Sequence, residues 1–175
     1  LQNDKVALVN LKNKDFDFRY RDSVLKHKRN LILGTARFEL KKVNSEDLKN
    51  AQKTYFQNIE YRKKHHPQDY PNCGSVFKNI KDPKTVSKII SVIPQIREKV
   101  ENKWYGKVSM GYLINYLGFA GFRVGNAQVS HKHNNFILNL GDASFSDVLT
   151  IIRSIQQKCQ EVFDFIPEVE VEIVT

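Results

Sequence analysis

The sequence predicts an α+β fold, and three observations carry that prediction. Two long stretches repeat apolar residues at helical spacing, several short runs read as strands, and the two kinds do not alternate as regular β–α–β units. Composition permits such a domain. Of 175 residues, 41% are hydrophobic and 11% aromatic, enough for a packed core and against disorder over most of the chain. No apolar run approaches the roughly 18 residues that a membrane span needs, and the N-terminus lacks the basic-then-apolar pattern of an export signal.

Taken in order, residues 5–10 ("KVALVN") and 31–41 ("LILGTARFELK") read as strands, with Gly34 as a candidate bulge. Ser45 looks like a helix N-cap, and Leu48, Ala51, Tyr55 and Ile59 recur at helical spacing to about Arg62. Pro67 and Pro71 then break the chain into a loop. A helix is expected from Lys84, interrupted near Pro94. A short amphipathic one should carry Tyr112, Leu113, Tyr116 and Leu117 and stop at Gly118 or Gly121. "FILNLG" reads as a buried strand. The clearest helix spans about Ser146 to Phe163, with Val148, Ile151, Ile152, Ile155, Cys159 and Val162 on one face and Ser144 with Asp147 as its capping box. Finally, "EVEVEIV" alternates Glu168, Glu170 and Glu172 with apolar neighbours, the pattern of a half-buried strand.

The net charge of +9 favours an anionic partner, either nucleic acid, a membrane surface or a phosphorylated small molecule. The basic residues are dispersed, however, without a basic tail or an aromatic-plus-basic signature of single-strand binding. Cys73 and Cys159 are too few for a disulfide framework, which points to a reducing cytoplasm. With His65 and His66 they match no zinc spacing, so no metal is expected. Cys159 belongs to the apolar helix face, and Cys73 as a nucleophile has no supporting signature.

The stretch "PNCGSVFKNI", residues 71–80, gathers a thiol, a hydroxyl, a lysine and an asparagine around one glycine. Gly74 permits backbone conformations and close approaches that other residues resist. Ser75 is a weak acid that needs a charged neighbourhood to act, while Lys78 and Asn79 suit phosphate and amide recognition. The pattern is not a P-loop. Spacing alone favours a Gly-Ser turn capping a helix. "HKHNNF", residues 131–136, is either a hydrogen-bonding loop at a sheet edge or a solvated turn. In "FRYRDS", Arg19 and Arg21 share a side if the segment is extended, and one of them could grip a carboxylate or phosphate.

Taken together and in order, "FRYRDS", "PNCGSVFKN", "GFRVGNAQVSHKHNNFILN" and a long helix leading into "IPEVEVEI" resemble the C-terminal part of the UDP-N-acetylenolpyruvoylglucosamine reductase (MurB) family. The likeness runs from about Phe16 to the C-terminus. It implies residues 1–42 as the tail of a second FAD-binding subdomain and residues 43–175 as a substrate-binding domain. It also implies a cytoplasmic flavoenzyme in which NADPH reduces FAD and UDP-N-acetylglucosamine enolpyruvate becomes UDP-N-acetylmuramate for peptidoglycan. By the resemblance, Ser75 protonates the enol-type intermediate, and Arg21 and Glu168 flank the reacting group. Asn79, Lys78 and, less specifically, His133 then fall at substrate-binding positions.

The chain departs from the family pattern at Ile80, Met110, Asn126 and Glu170, which touches flavin or substrate contacts but none of the three catalytic positions. The glycine- and serine-rich FAD-binding segments of the family have no counterpart here, so the cofactor-binding residues are expected elsewhere. The chain alone is expected to bind FAD poorly and to show little reductase activity. Opening on Leu1, it reads as a processed product or a piece of a longer protein. Oligomeric state is not legible. The alternative is a basic nucleic-acid-binding or interaction module without reductase activity.

Overall fold

The computed structural model describes residues 6–28 and 30–174, in two compact units that divide between Asn44 and Ser45. The first unit has little regular structure. A 3₁₀ turn spans Asn13–Phe16, and the four-residue helix α1 spans Val24–His27. Between them, Arg19 N–H donates to Asp22 O (3.0 Å) and Asp22 N–H to Arg19 O (3.3 Å), closing a tight turn with Tyr20 and Arg21 at its tip. The segment is therefore not extended, and Arg19 is drawn instead to Asp17, 2.5 Å away.

The two strands expected in this unit are not formed among the described residues; Lys5, the first residue of one, lies outside them. A strand exists only when a neighbour takes its backbone hydrogen bonds. Among the described residues, segments 6–10 and 31–41 have no such neighbour, and Leu8, Ile32, Phe38 and Leu40 remain exposed.

The second unit opens with helix α2, Ser45–His65, one turn longer than its apolar spacing suggested. None of its residues is buried, and Leu48 and Tyr55 of the expected apolar face stand in solvent. The chain then enters β1, Asn72–Ser75. Helix α3, Pro83–Val92, starts with proline in its first turn and with the Asp82 side chain accepting from Thr85 N–H. Pro94 cannot continue that helix, and after a single 3₁₀ turn α4 follows at Arg97–Asn102. Helix α5 spans Met110–Tyr116, with Gly118 in the left-handed region just beyond it.

Strands β2 (Arg123–Val124), β3 (Ala127–Val129) and β4 (Phe136–Asn139) complete an antiparallel sheet in the order β1-β4-β3-β2. Across it packs α6, Phe145–Phe163, whose start is held by the Ser144–Asp147 capping box. Ile151, Ile155 and Cys159 of α6 meet Ile89, Ile93, Leu113 and Val129 in one core. The fold is thus α+β, with helices on one face of an antiparallel sheet.

The last expected strand shrinks to a single bridge, Phe77↔Val169, flanked by two backbone hydrogen bonds.

Candidate functional site

Sequence spacing favours a turn before a helix over a working loop for the Gly-Ser segment. The segment is the end of a strand. Gly74 sits at φ +82°, and the register between β1 and β4 shifts between Asn72 and Ser75, which makes a β-bulge. The Asn72 side chain shapes the bulge by accepting from Gly74 N–H (3.1 Å). Ser75 emerges half-buried, opposite Phe136.

Beyond the bulge the backbone of Val76–Lys78 is bonded on both sides. On one side Val76 N–H donates to Asn135 O (2.8 Å). The Asn135 carboxamide accepts from Phe77 N–H (3.0 Å) and donates to Phe77 O (2.8 Å). On the other side Lys78 N–H donates to Glu168 O (2.9 Å), and Glu170 N–H to Val76 O (2.7 Å). The C-terminal segment takes only those two bonds, because further along Ile80 exchanges its backbone bonds with Val108 instead, and a bridge forms in place of a full strand. Lys78 adds a side-chain ion pair with Glu168. The lysine is 17% exposed and the glutamate 70%, so the pair orients Glu168 more than it stabilises the fold.

Ser75, Lys78 and Glu168 are thereby carried on neighbouring hydrogen-bonded segments, although Glu168 follows Lys78 by 90 positions. Asn79 comes next. Its carboxamide oxygen accepts from Met110 N–H (3.0 Å), at the start of α5. That leaves its amide donors for a ligand. His133 lies in the loop before β4, in ring contact with His66 (5.3 Å) and Phe136 (4.5 Å). Among the described residues its Nδ1 is buried without a hydrogen-bond partner. Burial first, and the nearby His66 second, push the His133 imidazolium below its usual pKa. Arg21 belongs to the first unit, where it is exposed at φ +58° with its guanidinium 5.7 Å from the Tyr20 ring centroid.

Two residues of the site escaped the sequence reading. Ser130 and Asn135 are polar and almost fully buried. The Ser130 hydroxyl accepts from the backbone N–H of Lys132 (3.1 Å) and His133 (3.2 Å). The loop carrying them is therefore the hydrogen-bonding alternative, not the solvated turn. The available signal was the density of polar residues just ahead of a buried strand.

Cys159 is buried, and its thiol is pushed up to about 12, which suits core packing and not nucleophilic chemistry. Among the described residues no three of His, Cys, Asp and Glu gather as a metal site, and no helix is long and apolar enough to cross a membrane.

A dinucleotide cofactor would need a cradle for its phosphates. One glycine turn, at Gly141, leads into a long helix, α6. There Ser144 caps the exposed N–H groups and the Asp147 carboxylate occupies the first turn, which opposes an anion. The start of α6 therefore offers no site for a dinucleotide's phosphates.

This architecture defines an α+β domain in which a serine-bearing bulge is bonded between a sheet loop and the C-terminal segment. Residues 66–174 match the model of the UDP-N-acetylenolpyruvoylglucosamine reductase C-terminal domain, and the chain belongs to that family. The Bacillus cereus UDP-N-acetylenolpyruvoylglucosamine reductase 1 is 34% identical over 94% of this chain and 45% of its own length. The reductase of a Thermotoga species is 35% identical over 93% of this chain and 44% of its own. The crystal structure of the Thermus caldophilus reductase superposes with a TM-score of 0.58 at 27% identity, covering 93% of this chain and 47% of that one. The chain spans about half the length of the curated relatives it matches.

Proposed function

We propose that this chain is the C-terminal, substrate-binding part of a reductase that converts UDP-N-acetylglucosamine enolpyruvate to UDP-N-acetylmuramate in peptidoglycan precursor synthesis. The observation that carries the reading is the junction at Lys78. There the backbone and side chain of one residue tie the Ser75 loop to Glu168. Two carbon centres change in this reaction. Hydride adds to the β-carbon of the enol ether, and negative charge develops toward the carboxylate. A proton must then reach the carbon beside that carboxylate, and we assign it to the Ser75 hydroxyl.

Glu168, oriented by Lys78, lies on the segment bonded to that loop and sets the polarity around the developing charge. Lys78 is assigned to the substrate-binding side as well as serving as the counter-ion of Glu168. Arg21 is assigned to the enolate-like carboxylate, where a guanidinium contributes most as charge appears. Its left-handed backbone supports that reading, because strained residues cluster at working sites. Asn79 is assigned to the UDP portion as a donor, and His133 to the same subsite.

FAD and NADPH are the redox pair of the reaction, and FAD supplies the hydride when bound. Residues 1–42 belong, in this proposal, to the flavin-binding side of the complete protein, which works in the cytoplasm without nucleic acid or membrane partners. The test is Ser75→Ala in the complete protein as its gene encodes it. Turnover with the UDP-sugar should fall by about 10² to 10⁴, the usual contribution of a positioned general acid. Unchanged turnover would remove Ser75 from the mechanism.

A further inference from the structure

Ser75 leaves the β1–β4 ladder where its register is broken. On its N-terminal side stands Gly74 at φ +82°, whose N–H is held by the Asn72 side chain (3.1 Å). On its C-terminal side, past the pairing of Ser75 with Phe136, the backbone is held through Val76 and Phe77. Both residues are 1% exposed, so their peptide groups need partners within the protein.

Asn135 supplies those partners. Its backbone carbonyl takes Val76 N–H, and its carboxamide accepts from and donates to the same residue, Phe77, at 3.0 and 2.8 Å. A strand residue facing Phe77 would exchange the same pair of bonds, so the side chain stands in for a missing stretch of β-ladder past the bulge. Asparagine is the shortest side chain that can do both. Asn135 is itself 4% exposed, so these bonds are shielded from competing water.

We infer that Asn135 is the positioning residue of the catalytic loop, holding Ser75 and, through Lys78, Glu168 at their working separation. The inference rests on the assignment of Ser75 as proton donor. It implies that loss of the carboxamide should damage the proton-dependent half of the reaction and spare the half that does not use Ser75. A misplacement near 1 Å costs on the order of 10²-fold in rate.

The experiment compares Asn135→Ala and Asn135→Asp with wild type in the complete protein, by rapid mixing of each half-reaction. Asn135→Asp keeps the shape and the acceptor for Phe77 N–H but loses the donor to Phe77 O, so it serves if the alanine variant folds poorly. Flavin reduction by NADPH should stay within about 2-fold, while flavin reoxidation by the UDP-sugar should fall about 100-fold in the alanine variant and less in the aspartate. In the 175-residue chain itself, hydrogen exchange at the Val76 and Phe77 amides should accelerate in both variants. Equal loss in both half-reactions, or no loss in either, overturns the inference. A wild type whose flavin is not reoxidised by the UDP-sugar overturns the reductase reading and this role with it. The exchange data distinguish that case, since they report the clamp without reference to turnover.

Discussion

His133 shows how one residue links packing to pH. Its ring lies against Phe136 and His66, and its Nδ1 has lost water without gaining a partner among the described residues. Charging it in the folded state is therefore disfavoured, first by burial and then by His66. A histidine with a depressed folded pKa is bound by more protons when unfolded, so stability rises with pH through that window. The contribution is complete above the ordinary histidine value of about 6.5 and is lost as pH falls below it. Denaturant unfolding between about pH 7 and 5 should thus show a steeper loss for wild type than for His133→Gln. Parallel curves would mean that the imidazole is not strained by its surroundings.

At this scale the sequence was informative where a residue's chemistry is rare and local. Gly74, Ser75 and Lys78 stood out as a cluster and lie at one bulge. Asn135 did not stand out, because its two bonds go to a residue 58 positions away and no local spacing encodes them.

At the scale of the element, α6 is the part most fully legible in advance. Its apolar stripe, its capping box and its length follow from periodicity and from Ser144 and Asp147, all within one window of sequence. The helix ends at Phe163, as expected, with Asp164 beyond it in the left-handed region where no glycine stands. The strands went the other way. The β-branched runs at 6–10 and 31–41 have strand composition, yet pairing is a property of two segments, and composition reports on one. Likewise α2 obeys helical periodicity, while its apolar face is exposed among the described residues.

The α6 stripe yields a direct test. Ile155 is 1% exposed at the centre of the core, so Ile155→Ala removes buried methyl groups and leaves a cavity among well-packed neighbours. The expected loss is about 2–5 kcal/mol, seen as a lower denaturation midpoint with little change in slope. A loss below ~1 kcal/mol would mean that the site collapses around the cavity or is not the packed centre.

For the whole molecule, the issue is what a net charge of +9 is for. Several of the cations are engaged within the chain. Lys78 is paired with Glu168, Lys88 with Asp164, Lys63 with Glu60, Lys158 with Glu161 and Arg19 with Asp17. These pairs are distributed over both units. A diphosphate-bearing sugar asks for a few donors converging on one loop, such as Asn79 beside Lys78. The two uses of charge separate by salt. Nucleic-acid binding that neutralises Z phosphates falls with a log–log slope near −0.9Z on duplex DNA, so a footprint of six contacts loses about 10³-fold between 50 and 200 mM salt. Binding of a UDP-sugar through one or two charge-assisted contacts should change by less than about 10-fold over the same range. Titration of the chain with UDP-N-acetylglucosamine enolpyruvate and with a duplex and single-stranded oligonucleotide, at both salt levels, reads this out. We expect saturable, weakly salt-dependent binding of the sugar nucleotide, reduced by Asn79→Ala. Steep salt-dependent oligonucleotide binding with no affinity for the sugar nucleotide would instead make the charge a nucleic-acid footprint and remove the proposed substrate from this domain.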